Sequence, residues 1–281
     1  MKPLALDSSA GPLACLRGGA PDGAPVLALH GWLDNAASFV PLAAHLHGID
    51  LVALDLPGHG ASAHLPPGAE YSLAGTVHAV LDAADALGWD SFAVLGHSMG
   101  AAIGSILAAA APERVARFVA IEALGALADA EDHTAARLRE AVAARRALAG
   151  KRLRVFPDIE TAVRARMQAN ALSGPVARLL VERGLVEVDG GYSWSTDPRL
   201  TISTAVRMTE GQVRDLLAHI ACPVRVIYAD PPQSYLPDAL RRGRAAQLPR
   251  GELVVIDGGH HLHMEDPAAV AAAIGGFFLQ V

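Results

Sequence analysis

A serine flanked by two glycines places the strongest limit on the fold of this chain. The run Gly96-His97-Ser98-Met99-Gly100 lies between a short apolar segment and an alanine-rich segment. This G-x-S-x-G pattern is typical of a sharp turn from a strand into a helix, which exposes one serine hydroxyl. Residues two positions to either side of the serine must be small, so that the strand and the helix can approach each other. The pattern therefore predicts that Ser98 is an exposed nucleophile on a strand–turn–helix unit.

Apolar runs alternate with helical patterns on both sides of this turn. Such alternation is typical of an α/β fold with a mostly parallel, doubly wound sheet. Ser38 and Ser72 each precede a helical pattern, so we expect both to cap helices. A last helix is predicted from residue 267 to residue 279. The predicted strands are residues 13–17, 26–29, 51–54, 91–95, 115–121, 224–227 and 253–256.

The alternation stops between residues 123 and 217, where helical patterns predominate. A glycine turn at residues 189–191 lies between two strand-like runs and predicts a small hairpin. We therefore expect a core domain formed by residues 1–122 and 218–281, with residues 123–217 inserted as a helical cap over the strand ends. A solvated helix surface explains the arginines of this cap more simply than an anionic substrate does. They include Arg137, Arg139, Arg145, Arg146, Arg152, Arg154, Arg164 and Arg166.

Composition restricts the class of protein further. The 281 residues suffice for one α/β domain with an insertion, and 52% of them are hydrophobic. A formal net charge of −6 favours a soluble protein without a nucleic-acid partner. The first residues lack the apolar core of a signal peptide, and the apolar helices are too short to span a bilayer. We expect a cytoplasmic protein without a membrane partner, with Cys15 and Cys222 as buried thiols. The sequence leaves the oligomeric state open.

Ser98 needs a base, because a serine hydroxyl is a weak nucleophile at neutral pH. His260 directly follows a Gly-Gly turn after the last predicted strand, so we expect it at the same carboxyl edge of the sheet as Ser98. His261 is the neighbouring alternative. A metal is not expected, because the spacing of His260, His261, His263 and Glu265 matches no zinc signature. No organic cofactor is implied either.

The reaction also needs two donors for a developing oxyanion. The backbone N–H of Met99 is one, since it lies at the positive end of the following helix. Trp32 follows a predicted strand in His30-Gly31-Trp32, and its backbone N–H is predicted as the second donor, with Leu33 as the substitute. His30 is expected to brace this loop by hydrogen bonds rather than to react.

The acid that orients the histidine has two candidates. Glu122 ends the predicted strand 115–121, and Asp230 follows the strand 224–227. An acid at either position can reach the histidine, because both loops border the strand of the nucleophile at the same edge. The residues alone leave the choice open.

Several motifs together resemble the α/β-hydrolase fold superfamily. They are His30-Gly31-Trp32, Asp55-Leu56-Pro57-Gly58-His59-Gly60, Gly96-His97-Ser98-Met99-Gly100 and Gly259-His260. The longer runs 30–36 and 192–200 are similar to the serine hydrolase-like subgroup. The superfamily usually carries its acid about four residues after the strand 224–227, where this chain has Pro231-Pro232. Glu122 is similar to the pattern of haloalkane dehalogenase-like members, so the resemblance favours Glu122 and keeps Asp230 as the alternative.

The resemblance implies a serine hydrolase that cleaves a small carboxylic ester. In this interpretation Ser98 attacks, His260 transfers the proton, and Glu122 orients the histidine. Relatives with the same triad cleave carbon–carbon bonds or amides, or act as cofactor-free haloperoxidases and perhydrolases. A non-catalytic small-molecule receptor on the same fold is a further alternative. The natural substrate depends on the shape of the cap pocket.

Overall fold

An eight-stranded, mostly parallel sheet forms the centre of the molecule. The computed structural model describes residues 1–148 and 153–280. The strands are β1 (Lys2–Leu6), β2 (Leu13–Gly19), β3 (Ala24–Leu29), β4 (Ile49–Leu54), β5 (Phe92–His97), β6 (Val115–Ile121), β7 (Val155–Phe156), β8 (Leu185–Val188), β9 (Gly191–Trp194), β10 (Val224–Asp230) and β11 (Gly251–Asp257). The central sheet has the order β1-β2-β4-β3-β5-β6-β10-β11. Only β2 runs antiparallel to its neighbours β1 and β4. The strand of Ser98 thus lies in the middle of the sheet.

Helices cover both faces of this sheet. They are α1 (Val40–Ala43), α2 (Leu73–Ala86), α3 (Met99–Ala110), α4 (Thr134–Leu148), α5 (Ile159–Asn170), α6 (Gly174–Gly184), α7 (Glu210–Ala218), α8 (Asp238–Ala245), α9 (Leu262–Glu265) and α10 (Pro267–Ile274). One apolar core holds residues of α2, α3 and α7, and the other holds residues of α1 and α10. The sheet is therefore doubly wound, and the predicted fold class is confirmed.

Capping side chains decide where several helices begin. Ser72 accepts a hydrogen bond from Gly75 N–H at 3.0 Å and caps α2, as predicted. The predicted cap at Ser38 is wrong. Asn35 accepts from Ala37 N–H at 3.1 Å instead and caps the short 3-10 helix Ala36–Phe39, in which Ser38 is buried. The helix thus starts three residues earlier than predicted, because Asn35 has the extended backbone of a cap and Ser38 already lies inside the helix.

The last helix is shorter than predicted. α10 ends at Ile274, because Gly275 follows it with a φ of 52°. A separate 3-10 helix at Phe277–Leu279 follows and buries both phenylalanines against the core. A left-handed glycine therefore divides what the apolar pattern shows as one helix.

The segment between β6 and β10 contains α4 to α7 and a second, three-stranded sheet. In this sheet β8 and β9 form an antiparallel hairpin, as predicted, and β7 pairs with β9. Part of the segment has its own apolar core, which includes Val163 of α5 and Leu180 of α6. Val213 and Leu217 of α7 instead join a core of the central sheet. Residues 149–152, with the predicted cap arginine Arg152, lie outside the described residues.

Two features relate to the composition. Cys15 and Cys222 are free and buried, as expected. Burial raises the pKa of Cys15 to about 12 and that of Cys222 to about 11. Within the described ranges, no helix combines the length and the apolar content needed to cross a membrane.

Candidate active site

Ser98 lies at the junction of β5 and α3 in a backbone conformation that residues with a side chain rarely adopt. Its φ is 51° and its ψ is −114°. A Cβ atom added to Gly100 would lie 1.9 Å from Leu29 O, and one added to Gly96 would lie 2.6 Å from Ala101 Cα. The strand and the helix therefore approach so closely that only glycine fits at both positions.

His260 follows β11 after the two-glycine turn and reaches Ser98. Its Nε2 lies 3.0 Å from Ser98 Oγ, and its Nδ1 lies 3.2 Å from Glu122 Oε2. Since a carboxylate accepts hydrogen bonds, Nδ1 carries the proton and Nε2 is free to accept one from the serine. The histidine side chain is 24% exposed, so a substrate can approach it from solvent.

Glu122 directly follows β6 and is buried. Its backbone N–H donates to Ile227 O at 2.9 Å. Its Oε1 accepts a hydrogen bond of 2.6 Å from Ala229 N–H, which leaves Oε2 for His260. Two hydrogen bonds to β10 thus fix both the backbone and the carboxylate of this residue.

Asp230, the alternative acid, occupies the last position of β10 with an exposed side chain. Its backbone carbonyl accepts from Gly258 N–H at 3.1 Å. Within the part of the chain that the structure describes, its carboxylate makes no hydrogen bond with His260. The structure therefore brings Glu122, and not Asp230, into contact with the histidine.

The two predicted oxyanion donors lie on the segments next to Ser98. Met99 is the first residue of α3, so its N–H has no acceptor inside the helix. Trp32 lies in the turn after β3, the strand beside β5. Asp34 closes that turn by donating its N–H to Gly31 O at 3.1 Å. Leu33, the substitute donor, lies in the same turn with a φ of 59°.

The Trp32 side chain reaches the segment between β6 and β10, called the inserted segment from here on. It is 54% exposed, and its indole N–H donates to Leu200 O at 2.8 Å. Leu200 belongs to the 3-10 helix Pro198–Thr201, against which α4 packs. The loop that carries a predicted oxyanion donor is thus in direct contact with the segment predicted to form the cap.

His30 braces the same loop, as expected. Its Nδ1–H donates to Gly31 O at 2.7 Å, and its Nε2 accepts from Leu56 N–H at 3.0 Å. Burial lowers the pKa of His30 to about 4, so the ring is neutral and holds one proton for one donor role. His30 therefore joins the loop after β3 to the loop after β4.

Three residues near the site escaped the sequence analysis as contacts of the histidine or its loop. Tyr235 Oη lies 3.5 Å from His260 Nδ1. His97 Nε2 lies 2.8 Å from His260 O, and Asp34 Oδ2 lies 3.3 Å from His261 Nε2. No motif marks Tyr235. The signal for the other two is their position in the runs 96–100 and 30–36, where His97 adjoins Ser98 and Asp34 lies two residues after Trp32.

Comparisons with known proteins agree with this architecture. A family model described as alpha/beta hydrolase fold matches residues 24–267. A serine hydrolase-like protein from Dictyostelium discoideum is 31% identical, with 91% of this chain and 75% of that protein covered. A serine hydrolase-like protein from Danio rerio is also 31% identical, with coverages of 91% and 81%. The crystal structure of a hypothetical protein from Pseudomonas aeruginosa PAO1 has a TM-score of 0.94 and 41% identity, and covers 100% of both chains.

Proposed function

Because the chain belongs to the alpha/beta hydrolase fold family, we propose that it is a serine hydrolase that cleaves a small carboxylic ester through an acyl-enzyme. The observation that carries this proposal is the hydrogen-bonded series Ser98–His260–Glu122, with distances of 3.0 and 3.2 Å. Serine hydrolase-like proteins are among its relatives, which supports the same chemistry.

The proposed reaction has two stages. Ser98 Oγ attacks the ester carbonyl while His260 Nε2 takes its proton, and His260 then delivers that proton to the leaving alcohol. Water next attacks the acyl-enzyme, with His260 again accepting and returning a proton, and the carboxylic acid leaves. Glu122 holds the imidazole with Nδ1 protonated and stabilises the imidazolium that forms.

The backbone N–H groups of Met99 and Trp32 are proposed to bind the oxyanion. In a preorganised site each such donor contributes about 3–4 kcal/mol to stabilisation of the transition state. Met99 adds the positive end of α3, a helix of 12 residues. Both donors act without help from a metal or an organic cofactor in this mechanism.

We further propose that residues 123–217 act as a cap that selects the substrate, with residues 1–122 and 218–281 as the core. An apolar acyl or alcohol group is the proposed ligand of this cap. Large apolar side chains exposed in the segment support it, namely Leu127, Leu138, Val142, Val155, Val186, Val188 and Val206. The cytoplasmic location and the lack of nucleic-acid and membrane partners stay predictions.

A fluorophosphonate probe tests the nucleophile directly, because it reacts with an activated serine and not with an ordinary one. We expect one adduct per chain, located on Ser98 by peptide mass spectrometry, together with turnover of p-nitrophenyl acetate and butyrate. Ser98→Ala should abolish both. A folded wild-type protein that shows neither adduct nor turnover would contradict the hydrolase and favour the small-molecule receptor.

Adduct formation without ester turnover would separate the remaining candidates. The same triad serves carbon–carbon bond hydrolysis, amide hydrolysis and perhydrolysis. Assays with an anilide, with a β-diketone, and with acetate plus peroxide distinguish these reactions from the proposed esterase.

A further inference from the structure

Asp34 is a buried carboxylate that connects three separate parts of the molecule. It lies two residues after Trp32 and is 2% exposed. Its Oδ1 accepts a hydrogen bond from the guanidinium of Arg166 on α5, and its Oδ2 lies 3.3 Å from His261 Nε2. The carboxylate thus joins the loop after β3, the inserted segment and the loop that carries His260.

The charge of Asp34 is held by these partners. Burial alone would raise its pKa, but the hydrogen bond from His261 and the charge of Arg166 hold the pKa well below the usual range. The Arg166 side chain is itself only 11% exposed, so it does not belong to a solvated helix surface as the sequence suggested. A buried carboxylate that loses its cation is strongly destabilised. The position of α5 and the charge of Asp34 therefore depend on each other.

The link to His260 runs through two neighbouring histidines. His261 adjoins His260 in the chain, so its contact with Asp34 fixes the peptide that follows His260. His97 Nε2–H donates to His260 O at 2.8 Å and fixes the peptide from the other side. Burial and the neighbouring histidines lower the pKa of His97 well below its usual value, so His97 is neutral and its single proton lies on Nε2.

The link to the predicted oxyanion donor is shorter still. Asp34 N–H closes the turn that contains Trp32 by donating to Gly31 O. A Cβ atom added to Gly31 would lie 2.9 Å from Asp34 Oδ2 and 2.9 Å from His97 Nδ1. The carboxylate and the imidazole therefore pack directly beneath this turn.

A second cap contact has the same chemistry without the link to His260. Arg183 of α6 donates from Nε to Asp55 Oδ1 at 2.9 Å, and Asp55 is fully buried. The other donors to this carboxylate are Ala36 N–H at 2.7 Å and Ala61 N–H at 2.8 Å. Neither of them lies on the loop of the histidine, and Ala36 follows the Trp32 turn without belonging to it, so the Asp55–Arg183 pair serves as a matched control for the contacts of Asp34.

We propose that Asp34 is a positioning residue which, through Arg166 and His261, makes the alignment of His260 and of the Trp32 turn depend on the docking of the inserted segment. This role rests on the proposed serine hydrolase. Loss of the Asp34–Arg166 pair would lower the rate of the chemical step rather than the affinity for substrate, because the groups displaced are the base and an oxyanion donor.

The experiment compares kcat and KM of Asp34→Asn, Arg166→Gln, Arg166→Lys and Arg183→Gln with p-nitrophenyl butyrate, below the measured Tm of each protein. We expect Asp34→Asn and Arg166→Gln to lower kcat by about tenfold or more, since small misalignments have effects of this size, with KM changed by less than about threefold. Arg166→Lys keeps the charge and should restore most of kcat. Arg183→Gln should lower Tm like Arg166→Gln but keep kcat within about threefold.

Each outcome decides the matter. Equal losses of kcat in Arg166→Gln and Arg183→Gln would show that the Asp34–Arg166 contact only anchors the cap, and would contradict the positioning role. An Asp34→Asn protein with wild-type kcat would overturn the positioning role and leave the proposed hydrolase standing. If Asp34→Asn fails to fold, the comparison of the two arginine variants stands in its place. A wild-type protein without turnover or Ser98 labelling would overturn the hydrolase itself, and this role with it.

Discussion

Backbone strain occurs at two residues of the proposed triad and at the residue that follows a proposed oxyanion donor. Leu33, Ser98 and Glu122 have φ values of 59°, 51° and 58°. Each such conformation costs about 1–3 kcal/mol and persists only where the surroundings enforce it. For Glu122 the enforcing contacts are two hydrogen bonds. Its backbone N–H donates to Ile227 O, and its carboxylate accepts from Ala229 N–H. Strain at these positions fits a site in which the groups are fixed before substrate arrives.

Gly100→Ala tests how tightly the turn at Ser98 is packed. The added Cβ would lie 1.9 Å from Leu29 O, which belongs to the rigid backbone of β3. We expect the free energy of unfolding to fall by about 3 kcal/mol, the upper end of the usual cost of overpacking, because a strand backbone cannot move aside as a flexible side chain can. Chemical denaturation measures it. Gly276→Ala is the control, because nothing lies within 4 Å of its added Cβ; equal effects of the two substitutions would refute the close approach.

The sequence identified the residues that a local pattern marks and missed those that only the tertiary fold brings together. Ser98 has its glycines and His260 its two-glycine turn, so both could be placed at one edge of the sheet. Glu122 and Asp230 have equivalent positions after neighbouring strands, and only the hydrogen bonds of Glu122 distinguish them. The run 30–36 places Asp34 near the site, but no pattern pairs it with Arg166, which is 132 positions away in the chain.

At the level of elements, buried strands were easier to predict than edges and boundaries. Val115–Ile121 was predicted at its observed bounds, since it is flanked by strands on both sides and is almost wholly apolar. β1 was missed, because an edge strand needs only one apolar face and most of its residues are exposed. α8 was also missed. Its arginines Arg241 and Arg244 are buried against backbone carbonyls, so the helix lacks an apolar signal.

In the inserted segment, the sequence pattern predicts local turns but not which core a helix packs against. Its hairpin could be predicted from Asp189-Gly190-Gly191, because the turn chemistry is local. Whether α7 packs on the central sheet or on the rest of the segment could not be predicted, since Val213 and Leu217 give the same helical pattern whichever core they join. Their contacts with the central sheet follow from the tertiary fold alone.

Four buried histidines make the stability of the whole molecule sensitive to acid. Burial lowers the pKa of His30 to about 4 and the pKa values of His59 and His263 to about 3. Burial also lowers the pKa of His97 well below its usual value. Between these values and 6.5, the unfolded chain binds more protons than the folded one, so the stability is full above pH 6.5 and is lost as the pH falls. The loss approaches about 1.4 kcal/mol per histidine for each pH unit.

We therefore expect the free energy of unfolding to fall by more than about 4 kcal/mol between pH 7 and pH 5. Denaturant titrations at half-unit intervals measure it. His263→Phe should flatten the dependence by about one proton, because neither ring nitrogen of His263 has a hydrogen-bond partner among the described residues and its ring packs on Phe39 and His97. A free energy that stays constant from pH 7 to pH 5 would contradict the neutral, buried state of these rings.

The central proposal is that the hydrogen-bonded series Ser98–His260–Glu122 is a catalytic triad. Turnover of p-nitrophenyl butyrate by four proteins tests it most directly. The proteins are the wild type, Ser98→Ala, Glu122→Gln and Asp230→Asn. We expect kcat to fall to background in Ser98→Ala, to fall by about 10³-fold or more in Glu122→Gln, and to stay within about threefold in Asp230→Asn. Loss of turnover in Asp230→Asn with full activity in Glu122→Gln would contradict the proposed triad and assign the acid to Asp230.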